Sequence, residues 1–307
     1  MACLKSILEG WREGYEVIVV DNGSSDSSLE RLRAWAEDRR GALEFVPPAD
    51  QTEPIREEGG ASTLPRLVLL CTGRNLGFAG GNNFGIRYAL ARRATWVLLL
   101  NNDTVVEAEA LTSLVEGAER AGADLAGCSI YEYDRPTRPW FLGGVFNWWG
   151  DRTITSPPSL TTSPAAVETD WITGCCLLVR REVFEKIGLL DARAFMYYED
   201  GDFCWRAAKA GLKRVVVLNA RIRHKVTQFM VTDSPFRRYH GTWSRIYFHR
   251  KHRSAFSHAF FLVIFALSRL VRSLVWLLQG RRDLISASWR ALWDSRRQPM
   301  NAQSTSS

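Results

Sequence analysis

Apolar positions along this chain fall into short runs, spaced as alternating strands and helices would require. Tyr15–Val20 (YEVIVV), Arg66–Cys71 (RLVLLC), Thr95–Leu100 (TWVLLL), Asp124–Ile130 and Lys213–Leu218 (KRVVVL) are β-branched or leucine-rich and bounded by polar or glycine residues. Such runs predict buried strands. Between them, Leu4–Trp11, Ser28–Arg40, Asn82–Arg93 and Ala108–Ala121 predict helices, with Asp26 or Ser27 placed to cap the second. WITGCCLLVR (171–180) is another strand-like run, followed by a short helix and turn in REVFEKIGLLD and a helix over Asp202–Ala210 with Gly211 as its C-cap. Alternation at this spacing implies βαβ units and a mainly parallel, Rossmann-like sheet flanked by helices. Ligands of such sheets bind at the carboxyl ends of the strands.

Two stretches break the pattern. Residues 47–65 hold prolines, a glycine pair and acids, which predicts a long, mobile surface insertion. Ser254–Gly280 is strongly apolar, but its uninterrupted part, Ala259–Leu267, falls short of the ~20 residues that span a bilayer. His258, Arg269 and Arg272 interrupt it. That composition suits a helix lying in a membrane interface, with a spanning helix or packing against the core or a partner as alternatives.

Charge sharpens the picture of this tail. The whole chain carries +7, yet Arg214–Met300 alone holds 17 Lys/Arg against 3 Asp/Glu, so an acidic body (−7) bears a basic tail (+14). An anionic membrane surface or nucleic acid would complement it. No nucleic-acid-binding motif accompanies the charge, so nucleic acid is not expected as a partner. Six cysteines show no CxxC pair, which points to buried free thiols in a reducing compartment. No basic flank and apolar core of a signal peptide open the chain.

Three acidic positions stand where chemistry is expected. Asp21 ends a strand in VVDNGSSD, where a carboxylate can hydrogen-bond a nucleobase or ribose, although loop capping explains the pattern equally well. Asp103 follows a strand in LLLNNDT and can hold a divalent cation whose remaining positions are filled by substrate phosphates, or close an Asx turn. Glu199-Asp200-Gly201-Asp202 places three carboxylates in four residues, more than a helix cap needs, and suggests acid–base work. His224, six residues beyond the KRVVVL strand, is a possible ligand for an Mn-type cation. CTGRNLGFAGGNNFGI (71–86) is a glycine-rich loop opening a helix, suited to phosphate or ribose, without either GxGxxG or GxxxxGK[ST].

In order and spacing, four stretches resemble glycosyltransferase family 2, inverting enzymes of the GT-A fold, and in particular its rhamnosyltransferase-like bacterial members. They are EVIVVDNGSSDSS (16–28), RNLGFAGGNNFGIRYA (74–89), WVLLLNNDTVV (96–106) and the segment from Trp171 to Gly211. The resemblance implies that Asp21 and Asn22 contact the donor nucleoside, and that Asn75, Gly77 and the Gly80-Gly81-Asn82 turn line its pocket. The family's Asp-x-Asp falls on Asn101-Asn102-Asp103, so Asp103 would bind Mn²⁺ or Mg²⁺ with His224, and Asn102 would face the donor. Asp200 of the Glu199-Asp200 pair falls on the general base. Relatives open with an apolar strand; this sequence opens in what corresponds to the helix after it, CLKSILEG, so the sheet is expected to lack that strand.

The resulting expectation is a GT-A catalytic domain over 1–225 and a basic, apolar helical region over 226–307. The protein would transfer a sugar from dTDP-rhamnose or a UDP-hexose to a hydroxyl of a glycan or polyprenyl-linked acceptor during bacterial cell-surface polysaccharide synthesis. It would work in the cytoplasm, peripheral on the inner membrane. The alternative is a catalytically weak nucleotide-sugar or membrane-surface binding module.

Overall fold

A computed structural model describes residues 1–10, 14–39, 44–46, 65–147, 152–154, 165–225 and 233–297. Most of the insertion expected at 47–65 lies outside them. The chain runs α1 (Ala2–Glu9), β1 (Glu16–Asp21), α2 (Ser28–Glu37), β2 (Glu44–Val46), β3 (Arg66–Cys71), α3 (Gly77–Ala91), β4 (Trp96–Leu100), β5 (Thr104–Val106), α4 (Ala110–Arg120) and β6 (Leu125–Glu132). Then follow β7 (Pro139–Phe141), β8 (Gly144–Phe146), β9 (Arg152–Ile154), β10 (Ala166–Glu168), β11 (Cys176–Arg180), α5 (Arg181–Ile187), α6 (Glu199–Lys209) and β12 (Arg214–His224). Three helices end the chain: α7 (Pro235–His252), α8 (Ala255–Leu278) and α9 (Arg282–Arg297).

The sheet is mixed and in two parts, rather than mainly parallel. β1, β3 and β2 pair in parallel in the order β1-β3-β2. A seven-stranded sheet follows the path β10-β12-β6-β11-β4, with β5 on β12 and β7 on β6. There only β6 and β12 run parallel; β11 is antiparallel to both β6 and β4. The direction of β11 is set by a long excursion from β6 through β7–β10, which no local hydrophobic period encodes. β1 and β4 each end their sheet's path. No strand precedes β1 among the described residues. α1 and α3 join the two sheets instead: Ile7 packs into the main core while Leu4 and Leu8 pack against Leu67 and Leu69, and α3 lies on both β1 and β4.

The main core is apolar and fully buried, with Leu125, Ile130, Ile172, Leu177 and Val216 all at 2% exposure or less. Each such side chain contributes about 1.5–3 kcal/mol by leaving water. Five cysteines are buried and Cys71 half-buried, all with free thiols, as their placement in apolar runs predicts. Several helix and strand limits move, β11 beginning at Cys176 rather than Trp171. α3 begins at Gly77, not Asn82; α6 begins at Glu199, not Asp202; β12 runs on to His224, past the expected end at Leu218. β12 continues because, after an irregularity between Val217 and Arg221, it regains parallel register on β6 and pairs with β5. α7–α9 hold their own small cores, around Ile246, Phe261, Phe265 and Leu292 and around Trp243, Tyr247 and Ala291.

Candidate functional site

The loops at the ends of β1 and β3 are built by amides. Asn22 donates from Nδ2 to Asn75 Oδ1 (3.2 Å) and the Gly77 carbonyl (2.9 Å). Its Oδ1 accepts from the Leu76 N–H (3.0 Å) and the Thr72 hydroxyl (3.3 Å). With both amide hydrogens and the carbonyl engaged, Asn22 ties the ends of β1 and β3 together. Asn75 accepts the Gly77 N–H at 2.9 Å. Gly77 itself sits at φ +73°, and a Cβ there would lie 2.3 Å from the Phe195 carbonyl oxygen, so only glycine fits. Asp21 keeps a half-exposed carboxylate whose Oδ2 accepts the Ser24 N–H at 3.3 Å.

Gly80, Gly81 and Asn82 lie inside α3 rather than in a turn. Gly81 leaves room for the Asn22 amide, since a Cβ would come 3.0 Å from it. Asn82 donates back to the Phe78 carbonyl at 2.8 Å. The next residue, Asn83, is the buried one: it clasps Leu190 by two bonds, Nδ2 to O at 2.8 Å and Oδ1 from N at 3.1 Å. Sequence gives no reason to prefer Asn83 to Asn82 until the helix phase is known.

The loop after β4 is also tightly held. Asn101 donates its N–H to the Cys175 carbonyl (3.0 Å), and its own carbonyl accepts the Thr104 hydroxyl (2.7 Å). Asn102 is exposed. Asp103 Oδ1 lies 3.0 Å from Nε2 of His224, because Thr104 and His224 are paired residues of β5 and β12. A carboxylate oxygen and an imidazole nitrogen about 3 Å apart match two neighbouring positions on an octahedral cation with bonds of about 2.1 Å. The donor set also suits Mn²⁺-type ions. No group of three His, Cys, Asp or Glu side chains is poised for a metal among the described residues, so further ligands would have to come from substrate or water. The pair therefore fits an open, substrate-completed cation site.

Asp200 is tied to Gly174, the residue before Cys175. Its Oδ2 accepts the Gly174 N–H at 3.0 Å and its Oδ1 the Gly201 N–H at 2.7 Å, and it is 7% exposed. Glu199 beside it is 6% exposed. Burial above all, with Cys176 and Asp103 adding to it, pushes the Cys175 thiol well above its ordinary value. A Cβ at Gly174 would lie 3.0 Å from the Phe78 ring, and the Phe78 N–H bonds the Phe195 carbonyl at 2.8 Å. The 72–78 loop, the Asp103–His224 pair and Asp200 thus form one strand-end cluster. Two surface depressions, around Thr169–Asp170 and Lys213 and around Phe146 and Trp205, share no residue with it.

Asp202, the third acid of α6, faces away from this cluster. Arg206 Nε (2.8 Å), Lys251 Nζ (2.6 Å) and His252 Nε2 (2.7 Å) surround it. Burial alone would raise its carboxyl, but His252, Arg206 and Lys251 outweigh burial and hold it below the usual range. Sequence reasoning missed Gly174, Lys251 and His252. For Lys251 and His252 the local signal was the density of basic and aromatic residues in YHGTWSRIYFHRKH (239–252).

Residues 48–188 match the model of glycosyl transferase family 2. The chain is 32% identical over 182 residues to the N-acetylglucosaminyl-diphospho-decaprenol L-rhamnosyltransferase of Mycobacterium tuberculosis, covering 52% of this chain and 59% of that protein. It therefore spans less than two thirds of that relative's length. It is 23% identical over 235 residues to the dTDP-rhamnosyl transferase RfbF of Shigella flexneri, covering 74% and 76%. The mannosyltransferase PcManGT of Pyrobaculum calidifontis, solved with GDP-Man and Mn²⁺, superposes with a TM-score of 0.52 at 15% identity, over 91% of this chain and 78% of that one. That likeness shows the GT-A fold that the mixed sheet and flanking helices describe. Family match, fold and relatives together support a glycosyltransferase family 2, rhamnosyltransferase-like protein, the matched residues 48–188 covering a little under half of the chain.

Proposed function

We propose that this protein is an inverting glycosyltransferase that moves rhamnose or a hexose from a nucleotide sugar to a hydroxyl of a glycan or polyprenyl-linked acceptor in cell-surface polysaccharide synthesis. The observation that carries this is Asp200, a buried carboxylate held by the N–H groups of Gly174 and Gly201, with the residue after Gly174, Cys175, holding the loop that leads to the Asp103–His224 pair. Rhamnosyl transfer by two relatives favours dTDP-rhamnose, with UDP-hexoses as the other donor class.

Each residue has a task in this mechanism. The Asn22–Asn75–Gly77 network fixes the loop on which the nucleoside rests, and Asp21 offers it a carboxylate. Asp103 and His224 would hold Mn²⁺ or Mg²⁺ together with the donor's phosphates; when bound, the ion neutralises charge building on the departing diphosphate. Asp200 takes the proton of the acceptor hydroxyl while that oxygen bonds the anomeric carbon. The carbon–oxygen bond to the diphosphate breaks on the opposite face, and the anomeric configuration inverts.

α8 supports a membrane-associated setting. It is 24 residues long and apolar enough to cross a bilayer. Phe261, Phe265 and Trp276 bury against the helical region, while Phe256 (86%), Val271 (66%), Leu274 (64%) and Leu278 (90%) are exposed. A helix packed on one side and apolar on the other, with Arg269 and Arg272 in its length, suits the interface plane. A lipid-linked acceptor would then be presented at the surface where the protein sits.

The test is a nucleotide-sugar panel with Mn²⁺ or Mg²⁺, run on the wild type and Asp200→Asn. The variant should bind donor normally and lose transfer by about 10²–10⁴-fold. Full transfer by Asp200→Asn would overturn the assignment of the base.

A further inference from the structure

Two consecutive non-glycine residues, Tyr197 and Tyr198, stand in the left-handed region at φ +69° and +66° immediately before Glu199 and Asp200. That conformation is unfavourable for any residue with a β-carbon, and it persists only where surrounding contacts over-determine it. Several of these contacts come from α7. Its Ser244 hydroxyl donates to the Met196 carbonyl at 2.8 Å, and Arg237 Nε donates to the Tyr197 hydroxyl at 2.8 Å. The Phe248 ring lies 5.5 Å from Tyr198, and the His240 ring 4.8 Å from Phe195. Beyond the base, Lys251 Nζ reaches both Asp202 Oδ1 (2.6 Å) and Asp191 Oδ2 (2.7 Å), and His252 Nε2 meets the same Asp202 oxygen at 2.7 Å.

These gripping residues form one stripe. Arg237, Ser244, Phe248 and Lys251 lie seven, four and three positions apart, and His252 is four beyond Phe248, so they share a face of α7. Other faces of α7 meet the rest of the helical region: Ile246 joins Phe261 and Phe265, and Trp243 meets Ala291. α7 therefore stands between the helical region and the turn that carries the base. The same turn also touches the donor loop, since the Phe195 carbonyl accepts the Phe78 N–H at the start of α3.

We propose that α7 is a brace for the base-bearing turn, with Arg237, Ser244, Lys251 and His252 as positioning residues that hold Tyr197–Asp202 in the conformation that seats Asp200. The C-terminal region is then a working part of the transfer site, not a detachable anchor. Its effect on turnover rests on Asp200 being the base, whereas its effect on the turn does not. Lys251 acts through Asp202 and Asp191 and touches no substrate. Buried carboxylates need their cationic partner, so losing it releases the C-terminal side of the turn.

The experiment compares wild type, Lys251→Met, Lys251→Arg and Tyr197→Phe as full chains. Hydrogen exchange by mass spectrometry reads residues 195–203 against the β12 strand, and dTDP-rhamnose turnover reads kcat and donor KM. Lys251→Met should exchange at least tenfold faster in 195–203 with β12 unchanged, and should lose at least tenfold in kcat with donor KM within twofold. Lys251→Arg should restore most of both. Tyr197→Phe removes only the hydroxyl that Arg237 grips, so it should keep the fold and give a smaller change in the same direction. Unchanged exchange at 195–203 in Lys251→Met and Tyr197→Phe overturns the brace, as does faster exchange spread evenly through β12. The Asp200→Asn assay stands apart: if it transfers normally while the exchange pattern holds, the base assignment fails and the brace remains.

Discussion

Acid should weaken this protein through His240, and the size of the effect follows from where the ring sits. His240 is 2% exposed, with ring centroids of Phe236, Phe195 and Tyr239 at 4.4, 4.8 and 5.2 Å. Burial among these rings holds its pKa down to about 4, against an ordinary 6.5. The folded-state value is depressed, so between pH 6.5 and 4 the unfolded chain binds the proton and the folded chain does not. The stability tied to the neutral ring is therefore whole above about pH 6.5 and is lost as pH falls toward 4. The full shift corresponds to roughly 3 kcal/mol, and the part lost between pH 7 and pH 5 to about 2 kcal/mol. Urea unfolding of wild type and His240→Phe at both pH values isolates this contribution, since other titrating groups cancel in the difference. Wild type should lose about 2 kcal/mol more than the variant over that interval. Equal losses, or an NMR titration placing His240 near 6.5, would refute the reasoning.

Three other outcomes are expected. Asp103→Asn should weaken Mn²⁺-dependent binding of a nucleoside diphosphate by about 10–100-fold in calorimetry; wild-type binding that ignores Mn²⁺ would remove the cation site. Gly77→Ala forces a side chain into φ +73° with its Cβ 2.3 Å from the Phe195 carbonyl, so it should cost more than about 1 kcal/mol in unfolding and loosen nucleotide binding. An unchanged unfolding midpoint and affinity would contradict the geometry. Leu274→Asp, at a position 64% exposed on α8, should leave the thermal midpoint within a degree or two while abolishing cosedimentation with anionic vesicles. Retained sedimentation would move the membrane face elsewhere.

By itself the sequence determined the main core strands, β1, β3, β4, β6, β11 and β12, and which polar residues follow them. Runs such as RLVLLC and WVLLL carry their periodicity and β-propensity locally, so Asp21, Asp103 and the Glu199-Asp200 pair could be placed at strand or helix ends without coordinates. It also marked the tail as basic and apolar. What it could not determine rests on contacts between distant segments. The antiparallel course of β11, the extension of β12 that brings His224 to Asp103, and the start of α3 at Gly77 all depend on partners tens of residues away. The loop bonds of Asn22 were not legible either, because its partners, Thr72 and Asn75–Gly77, are more than 45 positions distant in the chain. The grip of α7 on Tyr197–Asp202 is of the same kind. Its stripe of Arg237, Ser244, Lys251 and His252 reads in isolation as a solvated helix face. Only tertiary packing, which removes those charges from water and sets them against buried carboxylates, gives the stripe its meaning.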